Sequence, residues 1–319
     1  MTTIGKYRHF SRVTTAAGHF VILAVDHRSN LYERLNQVSE SPLTDDDFIA
    51  FKQALLEHLV PQTSAVLADP TYVIGTAITS GVIHGQLGLL SPVEVTNYNT
   101  HPGQRDMHMI HGWSVKKIKR VGGDGVKMLL PYHPESETIE EKYDVVRQII
   151  ADCKRYDLPF FLEPIPYSLD SSKALDNEEY LEIYLQMCTT FCEMGVDGLK
   201  LPFPVDHKQS SDEAEWIRAC ELVTETCTVP WTLLSAGVDY ETFLKQTKIA
   251  CQAGASGIIV GRAVWSEAID LQGNERTEFL ATVAANRMQE LAEVCAEYAS
   301  SWKDDVAVPD NSIDWYENY

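Results

Sequence analysis

The sequence predicts the α/β class, with eight parallel strands and their intervening helices closed into a single-domain (β/α)8 TIM barrel. Short apolar runs rich in β-branched residues alternate with longer segments of helical period, which is typical of parallel strands joined by helices. Four of these runs end in a charged residue, and a chain of 319 residues suits a barrel of this kind. A doubly wound open sheet is the structural alternative, because the number of strands predicted from one sequence is uncertain and one of the eight has only a weak pattern.

Seven strands follow from clear apolar runs. The eighth is expected at residues 86–90 (QLGLL), where glycine weakens the pattern but the spacing requires a strand. The clear runs are residues 19–25, 64–68, 124–130, 158–162, 196–200, 230–235 and 256–260.

The connecting segments have the signals of helices. Residues 44–60 begin with Thr44 as an N-cap and continue with acidic residues in the first turn, followed by an amphipathic pattern. Further helices are predicted over residues 113–121, 136–156, 176–194, 211–226, 240–253 and 276–302.

No linker rich in Pro, Gly or Ser divides the chain. Residues 1–302 are therefore expected to form one barrel with an N-terminal extension, and residues 303–319 an acidic C-terminal tail. Trp315 and Tyr316 could dock this tail on a neighbouring subunit, although a loosely ordered tail is the expectation.

Charge and cysteine content limit the partners. The 46 acidic residues against 26 basic ones give a net charge of −20, which repels nucleic acid and anionic membranes. The seven cysteines form no CxxC pair, and the first twenty residues contain no apolar segment of signal-peptide length. These features predict a cytoplasmic enzyme that acts on small molecules. No cofactor and no metal ion are expected, and the sequence does not exclude a homo-oligomer.

The four charged strand ends predict a shared site. They are Asp26 in VILAVDHR, Lys127 in DGVKMLLP, Glu163 in PFFLEPIP and Lys200 in DGLKLPFP. A charge at the end of a buried run is costly unless it faces solvent, and strand ends of a barrel meet in one mouth. Asp26 could instead cap the next helix or form an ion pair with Arg28, which is also a candidate substrate-binding residue.

Two lysines beside a carboxylate point to carbonyl chemistry. A lysine attacks a carbonyl only without its proton, and a second ammonium group and a desolvated pocket both favour the neutral amine. Glu163 would transfer the protons, and the iminium would accept the electrons of a broken carbon–carbon bond. This is the chemistry of a class I aldolase. The structural alternative for either lysine alone is an ordinary ion pair.

The last two strand-to-helix turns predict a phosphate site. LLSAGVD at 233–239 and GIIVGRAVW at 257–265 each place a glycine where a strand gives way to a helix. In barrels the loops after strands seven and eight commonly bind phosphate through backbone N–H groups. The expected lining is Ser235, Ala236, Gly237, Gly261 and Arg262.

These motifs resemble the tagatose-1,6-bisphosphate aldolase family of class I enzymes, which also includes 6-deoxy-6-sulfofructose-1-phosphate aldolase. The resemblance is carried by LAVDHR, GVKMLL, FLEPIP, GLKLPFP, LLSAGVD and GASGIIVGRAVW. It implies Lys200 as the Schiff-base lysine, Glu163 as the acid/base and assisting roles for Lys127 and Asp26. It also implies reversible cleavage of a ketose phosphate to dihydroxyacetone phosphate and an aldehyde such as glyceraldehyde 3-phosphate.

The sequence departs from the family at two places. Family members commonly read DQR where this chain has Asp26, His27 and Arg28. They also often have an acidic residue soon after the Schiff-base lysine, where this chain has only the uncharged residues 201–204. The substrate therefore stays open between tagatose 1,6-bisphosphate and a sulfofructose phosphate that would give sulfolactaldehyde.

Two other functions remain as alternatives. One is a regulatory protein with the same barrel, which binds sugar phosphates but does not cleave them. The other is a metal-dependent class II aldolase, whose candidate ligands are His101, His108, His111 and His133. The loop at 97–113 is either an ordinary polar loop or a reader of the distal sugar, through Asn97, Asn99, His101, Arg105 and His108.

Overall fold

The computed structural model describes residues 2–95, 100–104 and 107–319. Eight parallel strands close into a barrel in chain order, so the predicted TIM barrel is confirmed. The strands are β1 (Phe20–Ala24), β2 (Ala65–Leu67), β3 (Gly88–Pro92), β4 (Gly125–Tyr132), β5 (Phe160–Pro166), β6 (Gly198–Leu201), β7 (Trp231–Leu233) and β8 (Gly257–Val260). The strand predicted from the weak pattern at residues 86–90 exists as β3, which lies two residues later than predicted.

Helices follow most strands and surround the barrel. They are α1 (Ile4–Val13), α2 (Ser29–Val38), α3 (Asp45–Leu59), α4 (Ile74–Thr79), α5 (Val115–Val121), α6 (Ile139–Tyr156), α7 (Asn177–Met194), α8 (Glu213–Thr226), α9 (Tyr240–Gln252), α10 (Arg262–Trp265), α11 (Gly273–Phe279) and α12 (Ala285–Tyr298). A π-helical segment, Leu280–Ala284, joins α11 to α12.

The helix predictions agree with the structure except at particular ends. The predicted final helix over 276–302 ends at Tyr298, and Trp302–Asp304 forms a separate 3₁₀ turn. Helices α1, α2 and α4 were not predicted. Helix α4 is only six residues long, too short for an apolar period to show in the sequence.

Barrel closure depends on a close approach between β1 and β8. Residues Phe20–Leu23 pair with Gly257–Val260, and Gly257 has a φ of +127°. A Cβ atom on Gly257 would lie 2.0 Å from the carbonyl oxygen of Phe20. Only glycine fits this position, because the backbone itself would be in the way.

The amino-terminal end of the barrel is sealed by α1 and aromatic packing. Phe10 of α1 stacks on Trp302 at 5.0 Å between ring centroids and meets Phe161 edge to face at 5.7 Å. Lys6 of α1 forms an ion pair with Asp197, just before β6, at 2.7 Å. The opposite end, where the strands terminate, is therefore the open mouth.

Among the described residues, no helix is long and apolar enough to span a membrane.

Candidate active site

Neighbouring strands bring the predicted charged residues to the same end of the barrel. Lys127, Glu163 and Lys200 lie on β4, β5 and β6, which are hydrogen-bonded neighbours. Asp26 follows β1 by two residues and reaches across the mouth to Lys127. The geometry thus unites all four residues in one cluster.

Glu163 connects the two lysines. Its Oε2 atom lies 2.9 Å from Lys200 Nζ and 2.8 Å from Lys127 Nζ. All three residues are at most 7% exposed. A single buried oxygen therefore accepts hydrogen bonds from both amines, and a proton can pass between them without leaving the protein.

Lys127 is surrounded by three carboxylates. Besides Glu163, its ammonium lies 3.2 Å from Asp26 Oδ2 and 3.0 Å from Glu94 Oε1. Lys200 has one carboxylate partner among the described residues, Glu163. Three carboxylates therefore stabilise a positive charge on Lys127, whereas a single one does so for Lys200 among the described residues.

Glu94 is the site residue that the sequence reading missed. It lies two residues after β3 and is 1% exposed, and its Oε2 has no hydrogen-bond partner within the described segments. The signal was present, since Glu94 also follows an apolar run. Placing the third strand two residues early concealed it.

Asp69 also follows an apolar strand, β2, but it does not join the lysine cluster. Its Oδ2 lies 2.5 Å from Lys52 Nζ of α3, and its Oδ1 accepts hydrogen bonds from the backbone of Thr71 and Tyr72. Both members of the ion pair are buried. This pair fixes α3 against the barrel rather than adding to the lysine cluster.

The two lysines keep the neighbouring carboxylates ionised. Burial alone would raise the pKa of Asp26 and of Glu163. The ammonium groups of Lys127 and Lys200 outweigh burial and hold both pKa values below their usual range. Glu163 therefore rests as a carboxylate and is ready to accept a proton.

His27 lies between Asp26 and the turn after β8. Its ring meets Trp265 edge to face at 5.5 Å, and its Cε1 is 2.9 Å from where a Cβ on Gly261 would be. Burial, reinforced by Arg262 and Lys200 and opposed by Asp26, lowers the pKa of His27 to about 3. The imidazole is therefore neutral at physiological pH.

Arg28 braces the end of the third strand. Its Nη2 donates a hydrogen bond to the backbone oxygen of Glu94 at 2.7 Å. The partner of Asp26 is Lys127, so the alternative of an Asp26–Arg28 ion pair is wrong for this structure. Arg28 lies beside the cluster and supports it through the backbone.

The turns after β7 and β8 face each other as predicted for a phosphate site. Ala236 and Gly237 have positive φ values of 47° and 82°, which turn the chain sharply after the buried Ser235. A Cβ on Gly237 would lie 3.5 Å from the Arg262 guanidinium carbon. Arg262 is exposed and forms no ion pair with any described residue. Gly261 begins α10 directly before it.

A cavity of about 850 Å³ adjoins these turns. It is bounded by the loops after β5, β6 and β7, and it includes Gly237, Phe203, Tyr167 and His101. Of the predicted sugar-reading loop, Asn97, Asn99 and Arg105 lie outside the described residues.

The four histidines considered as metal ligands do not converge. His101 and His133 both contact the ring of Tyr167, at 5.7 and 5.9 Å between centroids. Within residues 2–95, 100–104 and 107–319, no three His, Cys, Asp or Glu side chains are grouped so as to hold a metal ion.

Comparison with known families identifies the family of this chain. The sequence matches the family described as DeoC/LacD family aldolase over residues 20–267, most of the chain. The chain belongs to the DeoC/LacD aldolase family. Membership makes the protein an aldolase, which is a type of lyase.

Curated relatives and a solved structure extend the comparison of this DeoC/LacD aldolase. A tagatose 1,6-diphosphate aldolase of Listeria monocytogenes serotype 4a is 33% identical, with 94% of each chain covered. Tagatose 1,6-diphosphate aldolase 2 of Enterococcus faecalis is 29% identical, covering 96% of this chain and 98% of its own. A Schiff-base-forming fructose-1,6-bisphosphate aldolase has a similar fold, with a TM-score of 0.63, 18% identity, and 91% and 99% coverage.

Proposed function

We propose that this DeoC/LacD aldolase is a class I enzyme that reversibly cleaves a phosphorylated ketose through a Schiff base on Lys200. The preferred substrate is tagatose 1,6-bisphosphate, and the products are dihydroxyacetone phosphate and glyceraldehyde 3-phosphate. The names of the Listeria and Enterococcus relatives support this choice of substrate. The observation that carries the mechanism is Glu163 Oε2 in contact with both Lys200 and Lys127.

Schiff-base formation begins with proton transfer from Lys200 to Glu163. The neutral amine attacks the C2 carbonyl and forms a carbinolamine. Glu163, now protonated, gives a proton to the C2 hydroxyl, which leaves as water and yields the iminium. The 2.9 Å contact provides the path for both transfers.

Carbon–carbon cleavage then uses the iminium as an electron sink. Asp26, kept ionised beside Lys127, accepts the proton of the C4 hydroxyl as the C3–C4 bond breaks. The bonding electrons move into the iminium and form an enamine, while C4 becomes the aldehyde. Asp26 returns this proton to C3 of the enamine, and hydrolysis of the resulting iminium releases dihydroxyacetone phosphate and regenerates Lys200.

The turns after β7 and β8 hold the C1 phosphate in this proposal. Arg262 provides a charged donor in fork geometry, and the turn at Ala236 and Gly237 provides backbone N–H groups. This places the phosphate beside β6, β7 and β8, so that C2 can reach Lys200 on β6.

The decisive experiment is borohydride trapping with dihydroxyacetone phosphate, followed by peptide mapping. We expect a reduced adduct on Lys200 in the native protein and none in Lys200→Met, which should also lose cleavage activity. Lys116→Met, at an exposed lysine of α5, is the matched control and should trap normally.

Absence of an adduct, together with activity that a chelator abolishes, would establish the class II alternative instead. Retained cleavage by Lys200→Met would also overturn the mechanism. Comparing tagatose 1,6-bisphosphate with 6-deoxy-6-sulfofructose 1-phosphate as substrates tests the choice of ketose separately.

A further inference from the structure

A second pocket lies at the end of the barrel opposite the lysine cluster. Its volume is about 400 Å³, and its walls come from α1, the ends of α5 and α6, and the last residue, Tyr319. Helices of a (β/α)8 barrel run antiparallel to the strands, so the ends of α5 and α6 lie at the sealed amino-terminal end. The catalytic cluster has no residue in this pocket.

Positive side chains dominate this pocket. Arg8 and Arg155 are exposed, and neither forms an ion pair with any residue in the described ranges. Lys119 lines the same pocket, with its Nζ 2.8 Å from His9 Nε2. Three basic side chains gathered in one concavity, two of them without an ion pair in the described ranges, are unexpected in a protein of net charge −20.

His9 fixes Lys119 without neutralising it. The ammonium donates to His9 Nε2, so the ring carries its proton on Nδ1 and donates to Asp124 Oδ1 at 2.9 Å. Asp124 is buried and also accepts from Arg12. The remaining protons of Lys119 stay available to a ligand.

Among the described residues, the one acidic side chain in the wall is already engaged. Asp157 accepts hydrogen bonds from Thr3 Oγ1 at 2.6 Å and from the hydroxyl of Tyr319. The Tyr319 oxygen accepts in turn from the backbone N–H of Gly5 at 2.9 Å. Asp157 thus holds the pocket wall together, and one acidic side chain faces three basic ones.

Compensation of helix dipoles does not explain this cluster. Lys119 and Arg155 do lie in the last turns of α5 and α6, where a cation is favourable. The last turns of α7, α8 and α9 contain no basic residue, however, although these helices end at the same side of the barrel. Arg8 is in the middle of α1, where the dipole has little effect.

We propose that this pocket, lined by Arg8, Lys119 and Arg155, binds the phosphate group of a small phosphorylated molecule. Two guanidinium groups offer paired N–H donors that match phosphate oxygens, and the lysine adds a point charge. The site is separate from the turns after β7 and β8 and does not depend on the reaction assigned to Lys200.

The test measures binding of inorganic phosphate by equilibrium dialysis. All variants contain Arg262→Ala, which removes the charged donor of the turns at the barrel mouth. We expect saturable binding by Arg262→Ala, and binding weakened at least about a hundredfold when Arg8→Ala and Arg155→Ala are added, because two charged donors to the phosphate are then lost. Arg147→Ala, at an exposed arginine of α6 paired with Asp144, is the matched control and should change nothing.

Two results would overturn the site. One is the absence of saturable binding by the Arg262→Ala protein. The other is equal affinity after Arg8 and Arg155 are both removed. Arg8→Lys with Arg155→Lys keeps the charge and loses the paired donors, so its affinity should be intermediate.

Discussion

Glu163 shares one carboxylate oxygen between the amines of Lys127 and Lys200. An amide at this position would keep the shape of the side chain but could not accept a proton. The consequence is specific to the chemical steps, because proton transfer is needed both to make Lys200 a nucleophile and to expel the C2 hydroxyl as water.

Glu163→Gln should therefore lower kcat about a hundredfold to ten-thousandfold, the usual effect of losing a positioned acid/base group. Steady-state cleavage of the ketose phosphate measures this. Glu135→Gln, at an exposed carboxylate in the loop after β4, is the control and should retain full activity. A kcat for Glu163→Gln equal to that of the native enzyme would remove Glu163 from the mechanism.

His27 gives a prediction for stability against pH. The pKa of His27 is about 3 in the folded protein, against 6.5 as the ordinary value. Between these values the unfolded chain binds a proton that the folded protein does not. Folding stability from this group is thus complete above pH 6.5 and is lost as the pH falls toward 3, by about 1.4 kcal/mol per pH unit.

His27→Gln should remove this part of the acid sensitivity. Urea unfolding at several pH values between 6.5 and 4 should give a shallower loss of unfolding free energy for the variant than for the native protein. His84→Gln, at an exposed histidine, should follow the native curve. Identical curves for His27→Gln and the native protein would show that His27 titrates normally.

At the level of elements, the strand-end loops differ in function although the strands are alike. The turn after β7 has positive φ at Ala236 and Gly237, and the turn after β8 begins α10 with Arg262 directly over Gly237. In the proposed mechanism, chemistry and phosphate binding are divided between separate loops, so a change in one loop should affect one kinetic parameter.

Arg262→Ala should raise KM for the phosphorylated ketose about tenfold to a hundredfold, because a charged hydrogen bond to phosphate contributes roughly 1.5–3 kcal/mol. The kcat should change little. Arg218→Ala, at an exposed arginine of α8, is the control. Unaltered KM for the phosphorylated ketose would show that Arg262 does not contact the phosphate.

At the level of the whole molecule, closure of the barrel positions the site, because Asp26 follows β1 and must reach Lys127 on β4. The closing contact is the pairing of β1 with β8 at Gly257. A side chain there would meet the Phe20 carbonyl and would also require an unfavourable φ.

Gly257→Ala should lower the free energy of unfolding by more than about 3 kcal/mol, since a backbone clash and strained φ act together. Urea denaturation measures the change. Gly75→Ala is the matched control, because a Cβ there meets nothing within 4 Å, and Gly75 lies in α4. Alanine is favoured over glycine in a helix, so this control should be neutral or slightly stabilising. Equal destabilisation of both variants would contradict a special role for Gly257.

Local sequence patterns were enough to predict the barrel and the charged strand ends. Strand and helix periods depend on local spacing, and a charge that ends an apolar run marks the mouth because burying it elsewhere is costly. These local patterns were sufficient to predict that Lys127, Glu163 and Lys200 lie together at the mouth. They were also sufficient to predict that the turns at Gly237 and Arg262 face each other.

The partners of these charges could not be predicted from the sequence, because they depend on the folded barrel. Glu94 and Asp69 both follow apolar runs, yet Glu94 joins Lys127 and Asp69 is held by Lys52 of α3. Asp26 pairs with Lys127, more than 100 residues away in the chain, rather than with nearby Arg28. The physical reason is that ion pairs depend on distances across the closed barrel, and those distances follow from strand order and register rather than from local sequence.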